Sequence, residues 1–257
     1  MSRIRSAYQT LQMAALVLTA TPALAGIPFV TADPDGPDKG HYEINLSVQS
    51  THISGETSGL IPSLEVNYGL TNHFEVHIGL PIAFSQISGG STNVGISDVE
   101  FGVKYRAIDA DNFRWRPAVA FGPIISLRTG DNSRGLCTGS THGFLPIWIS
   151  KDIGRQTVFG SGYNINPGPD NKDCWFADLG AIYDIATDNE ITPELTVGTE
   201  IFCTTASIVS GTNGIRFDER AIYNISDLRH IMVSVVCGID AKANNRFSAL
   251  IAYQNRF

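Results

Sequence analysis

Two side chains in the stretch HFEVHIGLPIAF, residues 73–84, are of a type and spacing that could do acid–base chemistry: Glu75 and His77. Residues two apart on a strand leave the same face and lie close enough to interact. A hydrolase would also need a nucleophile and a third group to orient the base. The spacing offers neither, so a hydrogen-bonded histidine on the inside of the fold is the favoured reading. A second group is purely electrostatic. Glu43, Glu65 and Glu75 fall on three consecutive segments, and Lys104, Arg106, Arg114 and Arg116 on the next two. All lie within a few residues of short turns, so with His77 they share one layer. Opposed acidic and basic arcs put a transverse field across a narrow passage, which suits a constriction or gate. A salt-bridge network that merely fills the interior is an equal alternative. The third group is the four cysteines at 137, 174, 203 and 237, with no CxxC and no histidine at metal-ligand spacing. They suggest no metal site. Nothing in the pattern asks for a cofactor. In an oxidising compartment an even count points to disulfides. Cys137–Cys174 is the preferred pair, Cys174–Cys203 the alternative, and no bridge is equally open. Cys237 reads as a small apolar strand residue.

The elements that must hold these groups are strands. In residues 73–84 Phe74, Val76, Ile78, Leu80, Ile82 and Phe84 alternate with smaller or polar residues. A period of two is the strand signal. Twelve such segments follow one another, at about 41–52, 60–70, 73–85, 95–106, 113–128, 141–150, 155–165, 174–185, 191–203, 213–225, 229–239 and 245–257. Connections after even-numbered segments are short and polar, such as TN (71–72), DIGR (152–155) and SDL (226–228). Those after odd-numbered segments are mostly longer, such as ISGGSTNVG (87–95), TGDNSRGLCTGS (129–140) and NPGPDNKD (166–173). This asymmetry predicts an all-β fold: a single closed antiparallel transmembrane barrel of about 12 strands, with short periplasmic turns and longer extracellular loops.

The N-terminus agrees with export. Arg3 and Arg5 precede the apolar run Met13–Ala20, and small residues at Ala23 and Ala25 follow, the layout of a signal peptide over residues 1–25. Residues 26–40 then form an N-terminal periplasmic segment and 41–257 the barrel. Cleavage leaves 16 basic against 25 acidic residues, a net charge of −9. An acidic exported chain is a poor partner for nucleic acid.

Aromatic residues recur just before the short turns: Tyr68, Tyr105, Trp148, Tyr183 and Tyr223, with Tyr253 in the equivalent place near the end. Amphipathic rings at one height form an interfacial girdle. Alternation alone does not tell the inside of a barrel from the outside. Signal peptide, loop asymmetry and girdle together place the apolar face in lipid and the charged face in a wet lumen. Two segments resist this assignment. FLPIWIS (144–150) is apolar at both parities, leaving the side of Trp148 open. Glu219 shares parity with Phe217, Ala221 and Tyr223, which predicts a bulge or a shorter strand there. The chain ends on Phe257, as does the signal by which barrels engage the assembly machinery.

The stretches PFVTADPDGPDKGHYEINL (28–46), EVNYGLTNHFEVHIGLP, GISDVEFGVKYR, VAFGPIISLRTGD, YNINPGPDNKDCWF and FSALIAYQNRF resemble the outer-membrane barrel family grouped under the MetA-pathway of phenol degradation. The resemblance runs through nearly all of residues 26–257. It implies a porin-like transport protein of a Gram-negative outer membrane that admits aromatic or other hydrophobic small molecules. It implies no catalytic residue, and the chain is not expected to be an enzyme. The expected partners are the bilayer, the assembly machinery and a small-molecule solute. The competing reading is a closed barrel with a structural, adhesive or lipid-modifying role.

Overall fold

The computed structural model describes residues 34–53, 55–111, 115–152, 156–167, 171–185, 195–206, 213–239 and 246–257. The alternating segments are strands: β1 (Tyr42–Ile53), β2 (Glu56–Thr71), β3 (Phe74–Ile87), β4 (Asn93–Ile96), β5 (Val99–Ile108), β6 (Ala118–Phe121), β7 (Ile124–Leu127), β8 (His142–Asp152), β9 (Gln156–Ile165), β10 (Cys174–Ile185), β11 (Leu195–Thr204), β12 (Gly214–Ser226), β13 (Arg229–Gly238) and β14 (Arg246–Arg256). All pairings are antiparallel and join strands adjacent in the barrel, and β14 pairs with β1 from Glu43↔Arg256 to Ile53↔Arg246. The sheet therefore closes. β4 and β5 share one place in it, beside β3, and are parted by Ser97 and Asp98. β6 and β7 share another between β5 and β8, parted by Gly122 and Pro123. Proline has no N–H to give the ladder. Gly122 is packed so tightly that a Cβ would strike the Val103 carbonyl. Counting each interrupted pair once, the barrel has twelve strands. The helical structure among the described residues is one short 3-10 turn, Asn132–Arg134.

The alternation resolves inside from outside. Along β1, Glu43, Asn45 and Ser47 are buried while Tyr42, Leu46 and Val48 are exposed. β13 is stricter still: His230, Met232, Ser234 and Val236 point inward, and Ile231, Val233, Val235 and Cys237 outward. The outer wall is a continuous apolar surface far larger than water tolerates, and a closed barrel leaves no backbone edge unpaired. Such a wall suits hydrocarbon.

Four details depart from the expected layout. Trp148 is 5% exposed and faces inward, while Leu145 and Ile147 of the same strand take the outer face, so Trp148 is not part of a girdle. Its indole lies under the Lys104 ammonium, 5.4 Å from the ring centroid. Glu219 sits on the outer face with no bulge beside it: the β11–β12 ladder runs in register through Thr199↔Glu219, and the carboxylate accepts a bond from Thr199 Oγ1 at 2.9 Å. One satisfied hydrogen bond replaces the expected distortion. The first connection at the long-loop end is tight, because β1 and β2 stay paired up to Ile53↔Glu56. All four cysteines are free thiols, so Cys137 and Cys174 form no disulfide. The loop carrying Cys137 folds against β4 and β5, whereas Cys174 opens β10 beside Asn164 of β9.

Candidate functional site

The site is the lumen, built where inward-facing residues of neighbouring strands fall into rows. At the short-turn end the N-terminal segment joins the wall. Gly40 N–H donates to the Gly69 carbonyl (2.8 Å), and Lys39 forms a parallel bridge with Gly69. The Asp35 carboxylate pairs with Arg106, and its carbonyl accepts from Lys104 Nζ at 3.0 Å. Arg106 also binds Asp109 (3.0 Å) and the Asn72 carbonyl (3.0 Å). Lys104 lies 3.5 Å from Glu75, its neighbour across the β3–β5 ladder. Arg116 sits at the rim, more than half exposed and 3.9 Å from Asp111. Arg114 is outside the described residues. The basic groups are thus tied locally to the turns, the N-terminal segment and Glu75.

The acidic side is deeper. Glu43 is bound by Arg256 from the facing strand at 2.7 and 2.9 Å, which fastens the β1–β14 seam. Asn45 and Asn67 each send their amide N–H groups to both Glu43 and Glu65, at 3.0 to 3.4 Å. His77 and Glu75 do not meet as an acid–base pair: the imidazole lies 3.5 Å from Glu100. The space that His77 fills belongs to Gly102, its ladder partner, where any Cβ would overlap the ring. On the opposite wall Arg220 is buried between Glu200 and Asp218, the latter at 2.8 Å. Nearby, the Asp178 carboxylate accepts the Gly160 N–H at 2.6 Å. Phe144, Phe176 and Phe202 pack beside this group, and the Arg216 guanidinium stacks on Phe202 at 4.7 Å.

Above these rows, toward the long loops, the lumen opens into a chamber of about 760 Å³. Among the described residues, serines from seven places line it, with Glu65, Asp98, Glu100 and Asp218 against a single guanidinium, that of Arg216. Part of its roof is the β7–β8 loop, which folds over the β4–β5 break. The buried Asp98 carboxylate accepts from the Thr129 and Gly130 amides (3.2 Å each) and from the Thr138 amide and hydroxyl (3.3 and 3.1 Å). Ser97 Oγ donates to the Leu136 carbonyl at 2.7 Å, and Leu136 is buried. At the loop tip a hydrogen bond from Ser133 holds the Asp131 carboxyl below the usual carboxylate range, and burial pushes the Cys137 thiol up.

On the outer face Tyr105, Tyr223 and Tyr253 are exposed, and Tyr68 is half-buried against Tyr42, ring centroids 4.6 Å apart. Tyr183 pairs with Val197 in the ladder; its side chain is outside the described residues. Sequence reading singled out neither Asp98 nor Glu100. It had not marked Asn45, Asn67, Asp178, Glu200 or Arg220 as site residues. The available signal was glycine opposite a bulky charge: Gly79 beside Glu65 and Glu100, Gly180 beside Glu200, Gly198 beside Arg220.

No family model matches the chain, and no curated protein does. Solved structures do. An outer-membrane channel from Pseudomonas putida F1 aligns with a TM-score of 0.65 at 13% identity, covering 88% of this chain and 98% of its own. The KdgM porin, solved with disordered oligogalacturonate, aligns at 0.52 and 10% identity, covering 84% and 99%. The NanC porin aligns at 0.50 and 14%, covering 82% and 98%. At these identities the likeness is one of fold, and the fold is that of outer-membrane channel and porin barrels.

Proposed function

We propose that the protein is an outer-membrane channel through which small solutes pass passively. The single observation that carries this reading is the chamber of about 760 Å³ inside a closed barrel whose outer wall is apolar. A wall lined by hydroxyls and carboxylates exchanges hydrogen bonds with a polar solute at little net cost, as a selective pore requires. The similarity to channel and porin structures supports it. Export by residues 1–25 and insertion through Phe257 complete the proposal; Phe257 already exchanges backbone hydrogen bonds with Tyr42 (2.9 and 3.2 Å). For aromatic solutes, implied by the family resemblance, the chamber lining also offers the apolar side chains of Leu60, Leu136 and Leu250. The charge layer around Glu65, Glu75 and Lys104 is the proposed constriction. A closed barrel is favoured by one feature, the N-terminal segment held at the short-turn end by Lys104 and Arg106 of β5. Planar-bilayer recording decides between them: stepwise conductance is expected, and its complete absence at every voltage would overturn the channel.

A further inference from the structure

One side chain of the β7–β8 loop goes inward. From Asp131 to Ser140 every residue is exposed or half-buried except Leu136, which is 3% exposed and lines the chamber. The local sequence builds a turn that presents it. Asp131 caps the short 3-10 turn, its carboxylate accepting the Ser133 N–H at 3.0 Å and the Ser133 hydroxyl at 2.6 Å. Gly135 ends the turn in the left-handed region at φ 69°, which a residue without a Cβ adopts freely. The Leu136 N–H then returns to the Asp131 carbonyl at 3.1 Å. The leucine is delivered by a turn that is complete in itself.

The backbone on either side of it is held independently. Arg134 Nη2 donates to the Val94 carbonyl of β4 at 3.2 Å, and the Asn93 amide donates to the Arg134 carbonyl at 3.0 Å. Ser97 holds the Leu136 carbonyl, and Asp98 holds the amides of Thr129, Gly130 and Thr138. None of these bonds uses the Leu136 side chain. Gly95 leaves room for it: a Cβ there would lie 3.0 Å from Leu136 Cδ1. The result is a branched apolar group, fixed from behind, at the edge of a chamber lined largely by hydroxyls and carboxylates.

We propose that Leu136 sets the size of solute the channel admits: the β7–β8 loop narrows the long-loop end of the chamber, and this side chain is the tip of the narrowing. The inference rests on the channel reading and names the residue that limits it. Pore diameter is a primary determinant of what a channel passes, and a stop on a preorganised backbone defines that diameter sharply. Leu136→Ala removes the branched end and leaves every anchor of the loop in place.

The test is swelling of liposomes carrying the refolded barrel, in the neutral sugars arabinose, sucrose and raffinose, which differ mainly in size. Leu136→Ala should raise raffinose entry relative to arabinose entry, with hydrogen exchange at Gly130 and Thr138 unchanged. Cys137 lines the same roof and gives a second handle that leaves Leu136 untouched. In protein whose other cysteines are alanine, a bulky methanethiosulfonate attached there should slow sucrose entry, and dithiothreitol should restore it. An unchanged raffinose-to-arabinose ratio in the variant, with sucrose entry indifferent to the label, overturns the assignment and leaves the channel standing. A raised ratio accompanied by lost protection at the two amides makes Leu136 an anchor of the loop, and overturns its role as a stop. No entry of any sugar through wild type, variant or labelled protein overturns the channel reading, and the assignment with it.

Discussion

Replacing Asp98 with alanine should release the β7–β8 loop from the wall of the chamber. Four donors converge on this carboxylate: the amides of Thr129, Gly130 and Thr138, and the Thr138 hydroxyl. Two have other acceptors to fall back on. The Thr129 amide also reaches the Leu127 carbonyl at 2.7 Å, and the Thr138 hydroxyl reaches the Ser140 carbonyl at 3.0 Å. The Gly130 and Thr138 amides depend on Asp98. At about 1.5 kcal/mol for each hydrogen bond to a charged group, the loop should lose about 3 kcal/mol of local stability. That corresponds to a roughly hundredfold rise in the population of the opened loop. Hydrogen exchange measures this directly, since protection at Gly130 and Thr138 should fall about a hundredfold while the β13–β14 ladder keeps its own. Asp98→Asn should give a smaller effect, because one carboxylate oxygen remains as an acceptor. Unchanged exchange at both amides in the alanine variant would refute the latch, and with it the role of Asp98 in shaping the chamber.

The outer wall makes a depth-dependent prediction: Leu80→Arg should cost about 2–4 kcal/mol of folding stability in lipid vesicles, and Val76→Arg, level with Tyr68 and nearer the short turns, clearly less. Equal penalties would mean that Leu80 is not near the bilayer midplane. Arg256→Gln should destabilise the β1–β14 seam by about 3 kcal/mol, since it leaves Glu43 buried without its guanidinium, and an unchanged urea midpoint would count against that pair. Denatured in urea without reductant, the protein should take up iodoacetamide at all four of its cysteines; uptake at two would restore a disulfide.

The sequence alone carried the number of strands, their approximate limits, the direction of closure and the wet or lipid side of most residues. Each follows from local chemistry: period-two alternation, turn residues at one end, and aromatic rings ahead of the short turns. Glu43, Glu65, Glu75 and His77 were legible for the same reason, being polar residues on one parity of clean strands. Trp148 and Glu219 were not, because the side a residue takes on an ambiguous strand depends on what its neighbours leave room for. Trp148 turns inward beneath Lys104, and Glu219 stays outside because Thr199 stands opposite with a hydroxyl. Partnership was beyond the sequence altogether. Glu43 meets Arg256 across 213 residues, and Lys104 meets the backbone of Asp35 across 69. Closure of the barrel sets those pairs, and with them decides that the basic groups are spent near the turns while His77 and Ser126 hold Glu100. Alternation fixes which face a side chain takes, a property of one strand; register between strands fixes what it meets, a property only the closed sheet possesses.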